Sequence, residues 1–382
     1  MNRTKFFLYI LLLTSPLWVF ALNNVMQNSQ LFTFNLILIG ALLGASLNYF
    51  QFGFSSSFRS SITEKRTAGM RSIIWLLAIA ILLFAPLLAL QAWHEQTFTG
   101  FIRPLSLAIP LGAFIFGIGM QIGCGCTSGT LNRVGQLQAM SFSTLLFMII
   151  GGSLAAMTFA DWNQLPVFEP FAFQRQFGWA LGLLIQLLLL AFLYLLLKRL
   201  EQRHHQDYQP LIAKQHFLKT HPFLAAAISL AFLNASLLFI SGTPWSISSV
   251  FPYWGTSLID LFGLSIDWTF WDYTMENSTR MNQGLFENTV SLTTIGVILG
   301  AFIASLIHPR IKVKISAKAL AASMIGGTIM GFGAVMASGC NIGAFFSGIA
   351  SGSLHGWVWL VFALFGNMLG LMIRKQVFNI KT

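Results

Sequence analysis

The sequence predicts an all-α, polytopic membrane protein of about nine to ten transmembrane helices, with re-entrant half-helices arranged as an inverted repeat. Three observations predict it. Of 382 residues, 55% are hydrophobic and only 9% charged, with a mean hydropathy of +0.72, which is far too apolar for a soluble domain. The apolar residues form near-continuous runs of about 20, the length a helix needs to cross the hydrocarbon core; a β-barrel would show short alternating segments. A glycine-rich segment containing a Gly-Cys dipeptide also occurs once in each half of the chain.

The apolar runs fall near 6–22, 31–50, 71–92, 105–123, 140–160, 177–197, 222–240, 289–307, 319–337 and 353–373. The opening "MNRTKFFLYILLLTSPLWVFALNN" has the basic start and short apolar run of a secretory signal, but a following membrane domain favours an uncleaved first helix. Loops containing Arg59, Lys65, Arg66 and Arg71, then Lys198, Arg199, Arg203, Lys214 and Lys219, then Arg310, Lys312, Lys314 and Lys318, are basic and are expected in the cytoplasm. The segment 241–288 has Asp260, Asp267, Asp272, Glu276 and Glu287 against Arg280 and is expected outside. Its Trp and Tyr residues suit the headgroup level or a substrate-capturing vestibule.

This divides the chain into a first membrane repeat with its amino-terminal helix (1–197), a cytoplasmic linker (198–221) and a second membrane repeat (222–382) that includes the outer loop 241–288. His204, His205, His216 and His221 lie in or beside the linker without a cysteine or carboxylate cluster, so they read as a solvated connection rather than a metal site. The net charge of +11 is spread in patches beside apolar runs, which marks topology and contact with membrane lipid rather than nucleic-acid binding.

Shifting the chain by 214 residues superposes, without a gap, Gly112 on Gly326, Gly117 on Gly331, Gly119 on Gly333, Gly125 on Gly339, Cys126 on Cys340, Gly129 on Gly343 and Gly152 on Gly366. Any two of these glycines would mean little in membrane helices, but a Gly-Cys dipeptide in register with five others is a repeat. The basic loops give the two copies opposite orientations. Inverted repeats bring interrupted helices together near the midplane, where transporters bind substrate.

Glycine-rich backbone at membrane depth must be buried in protein or line a polar cavity, because each free N–H or C=O in lipid costs several kcal/mol. Gly125 and Gly339 let a ligand approach the chain closely. Half-helices starting near Thr127 and Asn341 would offer unpaired N–H groups and a positive dipole end to an anion. Cys126 and Cys340 are then either small core residues or weak, polarisable donors to a soft sulfur atom. Cys124 has no counterpart in the second copy. Arg133 either reaches the interface or pairs with something anionic, and His355 is read as a packing or hydrogen-bonding residue near the outer mouth.

The stretch "IGGTIMGFGAVMASGCNIGAFFSGIASGSLHGWVW", Ile325 to Trp359, resembles the signature of the YeeE/YedE sulphur-transport family. "FGIGMQIGCGCTSGTLNRVGQL" is similar to that family's companion Gly-Cys segment, and "GALLGASLNYFQFGFSSSFRSSI", Gly40 to Ile62, to its first polar segment. The resemblance implies a transporter of thiosulfate or a related sulfur or selenium species, with re-entrant pieces meeting at a narrow middle where cysteines pass the substrate along by hydrogen bonding. Cys126 and Cys340 match two of those cysteines. The first polar segment departs from the pattern: the family's Phe-Cys-Phe-like core is Phe52, Gly53 and Phe54 here, leaving Cys124 as a substitute from the facing segment.

The expected function is therefore uptake, across a bacterial inner membrane, of a small inorganic sulfur anion, thiosulfate first. Cys126, Cys340, Cys124, Gly125, Gly339, Asn341, Thr127 and Arg133 form its path, and no cofactor or metal is implied. A soluble cytoplasmic sulfur carrier is the expected recipient. The alternative is a membrane thiol oxidoreductase or sulfurtransferase using Cys124 and Cys126; their Cys-x-Cys spacing is not the Cys-x-x-Cys of dithiol redox motifs, and no base is adjacent. No Walker-type loop is present, so the chain does not itself drive transport with ATP.

Overall fold

The protein is described by a computed structural model covering residues 29–93, 96–123, 125–211, 221–284, 286–307 and 316–377. The apolar run at 6–22 and Cys124 lie outside the described residues. Nine helical stretches among the described residues are long and apolar enough to cross a membrane. They match the nine remaining runs of the sequence. Among the described residues, named strands are confined to two antiparallel pairs of two residues each, Ala92–Trp93 with Gln96–Thr97 and Leu105–Ser106 with Val167–Phe168.

Among the described residues, twelve helices of nine residues or more organise the chain. The first half contains α1 (Ser29–Tyr49), α2 (Phe54–Thr63), α3 (Ala68–Leu90), α4 (Ala108–Ile122), α5 (Thr127–Gly135) and α6 (Ala139–Met157). A long helix, α7 (Trp179–His205), connects it to α8 (Pro222–Ser241), α9 (Val250–Leu261), α10 (Thr289–Ile307), α11 (Ala317–Met336) and α12 (Leu354–Gln376). Between α11 and α12 lies a π-helical segment, π1 (Asn341–Ser347), which runs into the α-helical turn Gly348–Ala350.

Local chemistry sets several boundaries. Pro222 occupies the first turn of α8, where its missing N–H costs nothing, and His221 caps the helix by accepting from Phe223 N. Gly242, at φ +74°, ends it. Ser316 caps α11 by accepting from Ala319 N at 3.2 Å. The expected linker 198–221 begins as helix, because α7 continues through His205 and its Glu201 is buried against Arg71 of α3.

The glycine register explains how the halves fit. A β-carbon added to Gly112 would lie 2.8 Å from the Gly333 carbonyl oxygen, and one added to Gly119 would lie 2.8 Å from that of Gly326. As α4 advances from 112 to 119, its partner α11 retreats from 333 to 326, so the helices cross antiparallel. The 214-residue shift converts each contact into the other. Equivalent, antiparallel, membrane-crossing helices are exchanged only by a two-fold axis perpendicular to both, which therefore lies in the membrane plane. The same shift relates the meeting of Gly117 with Gly366 of α12 to that of Gly331 with Gly152 of α6. Packing follows this symmetry, with α1 against α10 as α8 is against α3, and α6 against α11 as α12 is against α4. Each half thus lends helices to the other.

Candidate functional site

The two Gly-Cys segments break their helices in the same way. Cys126 is extended and caps α5, its Sγ accepting from Gly129 N at 3.4 Å and lying 3.4 Å from Ser128 Oγ. Cys340 is extended and caps π1, its Sγ accepting from Ile342 N at 3.4 Å. Both thiols are buried. The amino ends they cap face one another: the Thr127 hydroxyl faces the Cys340 thiol, and Cys126 is close enough for the two sulfurs to interact electrostatically. Two half-helix amino ends thus converge at the centre of the bundle, each with a thiol at its tip.

Polar groups there are unspent. Asn341 is 0% exposed, yet neither its Nδ2 nor its Oδ1 has a hydrogen-bond partner, and the Thr127 hydroxyl, also 0% exposed, faces Cys340 without making a hydrogen bond of good geometry. Each buried, unsatisfied polar group costs about 1–3 kcal/mol, so several at one point mark a place that a ligand or ordered water completes. No carboxylate is bonded to Asn341 or Thr127.

The glycines are not equivalent. Gly339 has φ +153° after Ser338 at φ +55°, and its carbonyl accepts from Trp359 Nε1 at 3.1 Å. A β-carbon there would strike Ala344 N at 2.5 Å. Gly125 has room, since its β-carbon would lie 3.5 Å from an Arg133 guanidinium nitrogen. The half-buried Arg133 accordingly leans over the first Gly-Cys segment rather than out to the interface. An aromatic stack holds the second: Phe54 and Phe58 of α2 lie edge-on to Phe345, which stacks on Trp359 at 5.7 Å. His355 is buried, its Nδ1 2.6 Å from Ser353 Oγ.

Sequence reasoning allows a vestibule in 241–288 as one reading of its aromatic residues but misses the serines that line the outer approach. A cleft of about 310 Å³ reaches from the expected outer side to Gly339 and Gly343, and its walls include Arg103, Ser246, Ser248 and Glu276. Ser248 Oγ accepts from the backbone N–H of Cys340 at 3.2 Å. The available signal was the hydroxyl-rich run "GTPWSISS" just before α9, in which Ser246 and Ser248 alternate as neighbours on one side of an extended chain do.

Interrupted helices converging at the axis of an inverted repeat define a membrane transporter. The chain belongs to the sulphur-transport family, whose profile matches residues 51–369. It is 25% identical over 363 residues to the thiosulfate transporter TsuA of Spirochaeta thermophila, covering 89% of this chain and 98% of that protein. It is 26% identical over 343 residues to the TsuA of Escherichia coli, covering 86% and 91%. A probable transporter of E. coli, YedE, is 32% identical over 153 residues, a match of 38% of this chain and 36% of that protein. The protein is a multi-pass membrane transporter of sulfur-containing anions, not an enzyme.

Proposed function

We propose that the protein takes up thiosulfate across a bacterial cytoplasmic membrane, passing it between the thiols of Cys340 and Cys126. The observation that carries this reading is the pair of facing, buried thiol-capped helix ends beside Asn341 and Thr127, whose polar atoms lack partners, with no carboxylate among them. Thiosulfate combines hard, charged oxygens with a soft terminal sulfur. The helix amino ends and N–H groups suit the charge, and the S–H groups suit the sulfur. The near full-length similarity to two thiosulfate transporters supports the same substrate.

The anion arrives through the outer cleft, crosses the thiol pair by exchange of hydrogen bonds without covalent chemistry, and leaves past Gly125 and Arg133. A soluble sulfur carrier in the cytoplasm receives it, and lipid surrounds the apolar outer faces. The basic segments around Arg66, Arg203, Lys318 and Arg374 orient the chain with this end inside. The test is uptake of ³⁵S-thiosulfate by cells that lack their own thiosulfate uptake. Saturable uptake with the wild-type chain, lost with Cys340→Ala at equal membrane abundance, is the expected result. No uptake above background by an abundant wild-type chain would overturn the reading.

A further inference from the structure

The loop between α8 and α9 presents hydroxyls for whose protons no acceptor is found among the described residues. Ser248 is buried, and its Oγ only accepts, from Cys340 N, so its proton remains available. Ser249 sits at the amino end of α9 without capping it. Ser246 Oγ makes no side-chain hydrogen bond among the described residues and lies 3.2 Å from where a β-carbon on Gly343 would be. All three line the outer cleft, and Ser246 beside Gly343 and Ser248 on the Cys340 N–H reach the second Gly-Cys segment. Arg103, whose guanidinium lies over the Phe101 ring at 5.4 Å, adds positive charge to the wall.

The equivalent loop on the other side of the membrane is different. There Gly53 precedes α2 as Ser249 precedes α9, so Phe52 and Phe50 stand where Ser248 and Ser246 stand outside. Both phenyl rings are buried, and Phe52 packs edge-on to Phe54 and Phe223. The scaffold is two-fold symmetric, but in these two loops serines stand on one side where phenylalanines stand on the other.

We propose that Ser246, Ser248 and Ser249 form an oxyanion filter on the outer side of Cys340, which holds the sulfonate oxygens of the substrate while its terminal sulfur points inward at the thiol. This rests on the thiosulfate reading above and adds to it an orientation and a specificity element. Hydroxyl donors match hard oxygens, and the softer S–H, one residue deeper, matches the sulfane sulfur. Sulfate satisfies the hydroxyls but has no soft atom for Cys340, so it binds at the filter and goes no further. Hydrosulfide has the soft atom and no oxygens, so the filter does not distinguish it.

The test is ³⁵S-thiosulfate uptake by Ser246→Ala, Ser248→Ala and Ser248→Thr, with sulfate as competitor. Removing one hydrogen bond to a charged group should raise KM about tenfold, with the maximal rate held within about twofold. The inhibition constant for sulfate should rise in parallel, and Ser248→Thr should restore both. Ser246→Ala decides the matter even if Ser248→Ala fails to fold, because Ser246 makes no bond the fold depends on. Wild-type uptake that persists with an unchanged KM in Ser246→Ala overturns the filter and leaves the thiosulfate reading standing. Absence of wild-type uptake overturns both.

Discussion

Gly119 and Gly326 meet where equivalent helices of the two halves cross, so closely that a β-carbon on Gly326 would sit 2.6 Å from the Gly123 Cα and one on Gly119 would sit 2.8 Å from the Gly326 carbonyl oxygen. Both obstacles are backbone and cannot swing aside. Gly326→Val is therefore expected to lower stability by about 1–3 kcal/mol or more through overpacking. Gly284→Ala, whose β-carbon meets only the Glu287 side chain at 3.4 Å or beyond, should be neutral. Thermal unfolding in detergent distinguishes them, and equal melting temperatures would mean that the crossing is loose.

Cys126 and Cys340 are small, and hydrogen bonds at their sulfurs are long: 3.4 Å from Cys126 Sγ to Gly129 N and to Ser128 Oγ, and 3.4 Å from Cys340 Sγ to Ile342 N. Loss of packing from Cys→Ala should thus cost about 1 kcal/mol, while uptake should disappear. Cys→Ser keeps a donor of similar shape but loses the soft sulfur, so partial uptake is expected. Normal uptake by both alanine variants would reduce the thiols to core residues.

The charge of the path is best tested at Gly125. Its φ is ordinary and a β-carbon there makes contacts of 3.5 Å or longer, so Gly125→Ala should transport nearly as the wild type does. Gly125→Asp would place a carboxylate beside Arg133 and the dianion; at an effective dielectric of about 20, repulsion at about 4 Å is of the order of 4 kcal/mol per unit charge. Uptake should fall by orders of magnitude. Gly339 is unsuitable as a control, since even Gly339→Ala combines φ +153° with a clash at Ala344 N. Matched losses in Gly125→Ala and Gly125→Asp would show that shape governs passage.

Arg71 and Glu201 are both 0% exposed and paired at 2.8 Å, with Thr67 N and Oγ1 also donating to the carboxylate. Arg71→Ala strands a buried charge and should cost about 3–5 kcal/mol, whereas Arg71→Met with Glu201→Leu should recover most of it. The partly exposed Arg66 and Asp207 should matter by less than about 1 kcal/mol. Denaturation of the purified protein would check all three, and an unaffected Arg71→Ala would contradict the burial.

His221, which caps α8, is held below the ordinary histidine pKa of 6.5, first by burial and second by the charge of Arg71. A depressed folded-state pKa means that the unfolded chain takes up the proton first. The contribution of His221 is therefore intact above about pH 6.5 and is lost as pH falls through the folded value. Melting temperatures at pH 8 and pH 5.5 should differ more for the wild type than for His221→Asn, which retains a capping side chain without a titration in that range. Identical pH responses would remove His221 from the account.

What the sequence determined by itself is what depends on neighbours along the chain. The nine described spans came from runs of apolar residues, and the inverted repeat from glycines and a cysteine recurring at one spacing. These signals are local or periodic, and hydrocarbon enforces them wherever the chain lies. Only the tertiary structure decided which polar groups go unsatisfied. Asn341 and Thr127 are buried without a hydrogen-bond partner, although each begins a helix whose own backbone bonds are local. Ser248 serves the site because its hydroxyl reaches the N–H of Cys340, 92 residues away, and Glu201 is buried because Arg71, 130 residues away, neutralises it. Such pairings join positions that share no period and no neighbourhood in the sequence, and they come into being only when the helices are packed.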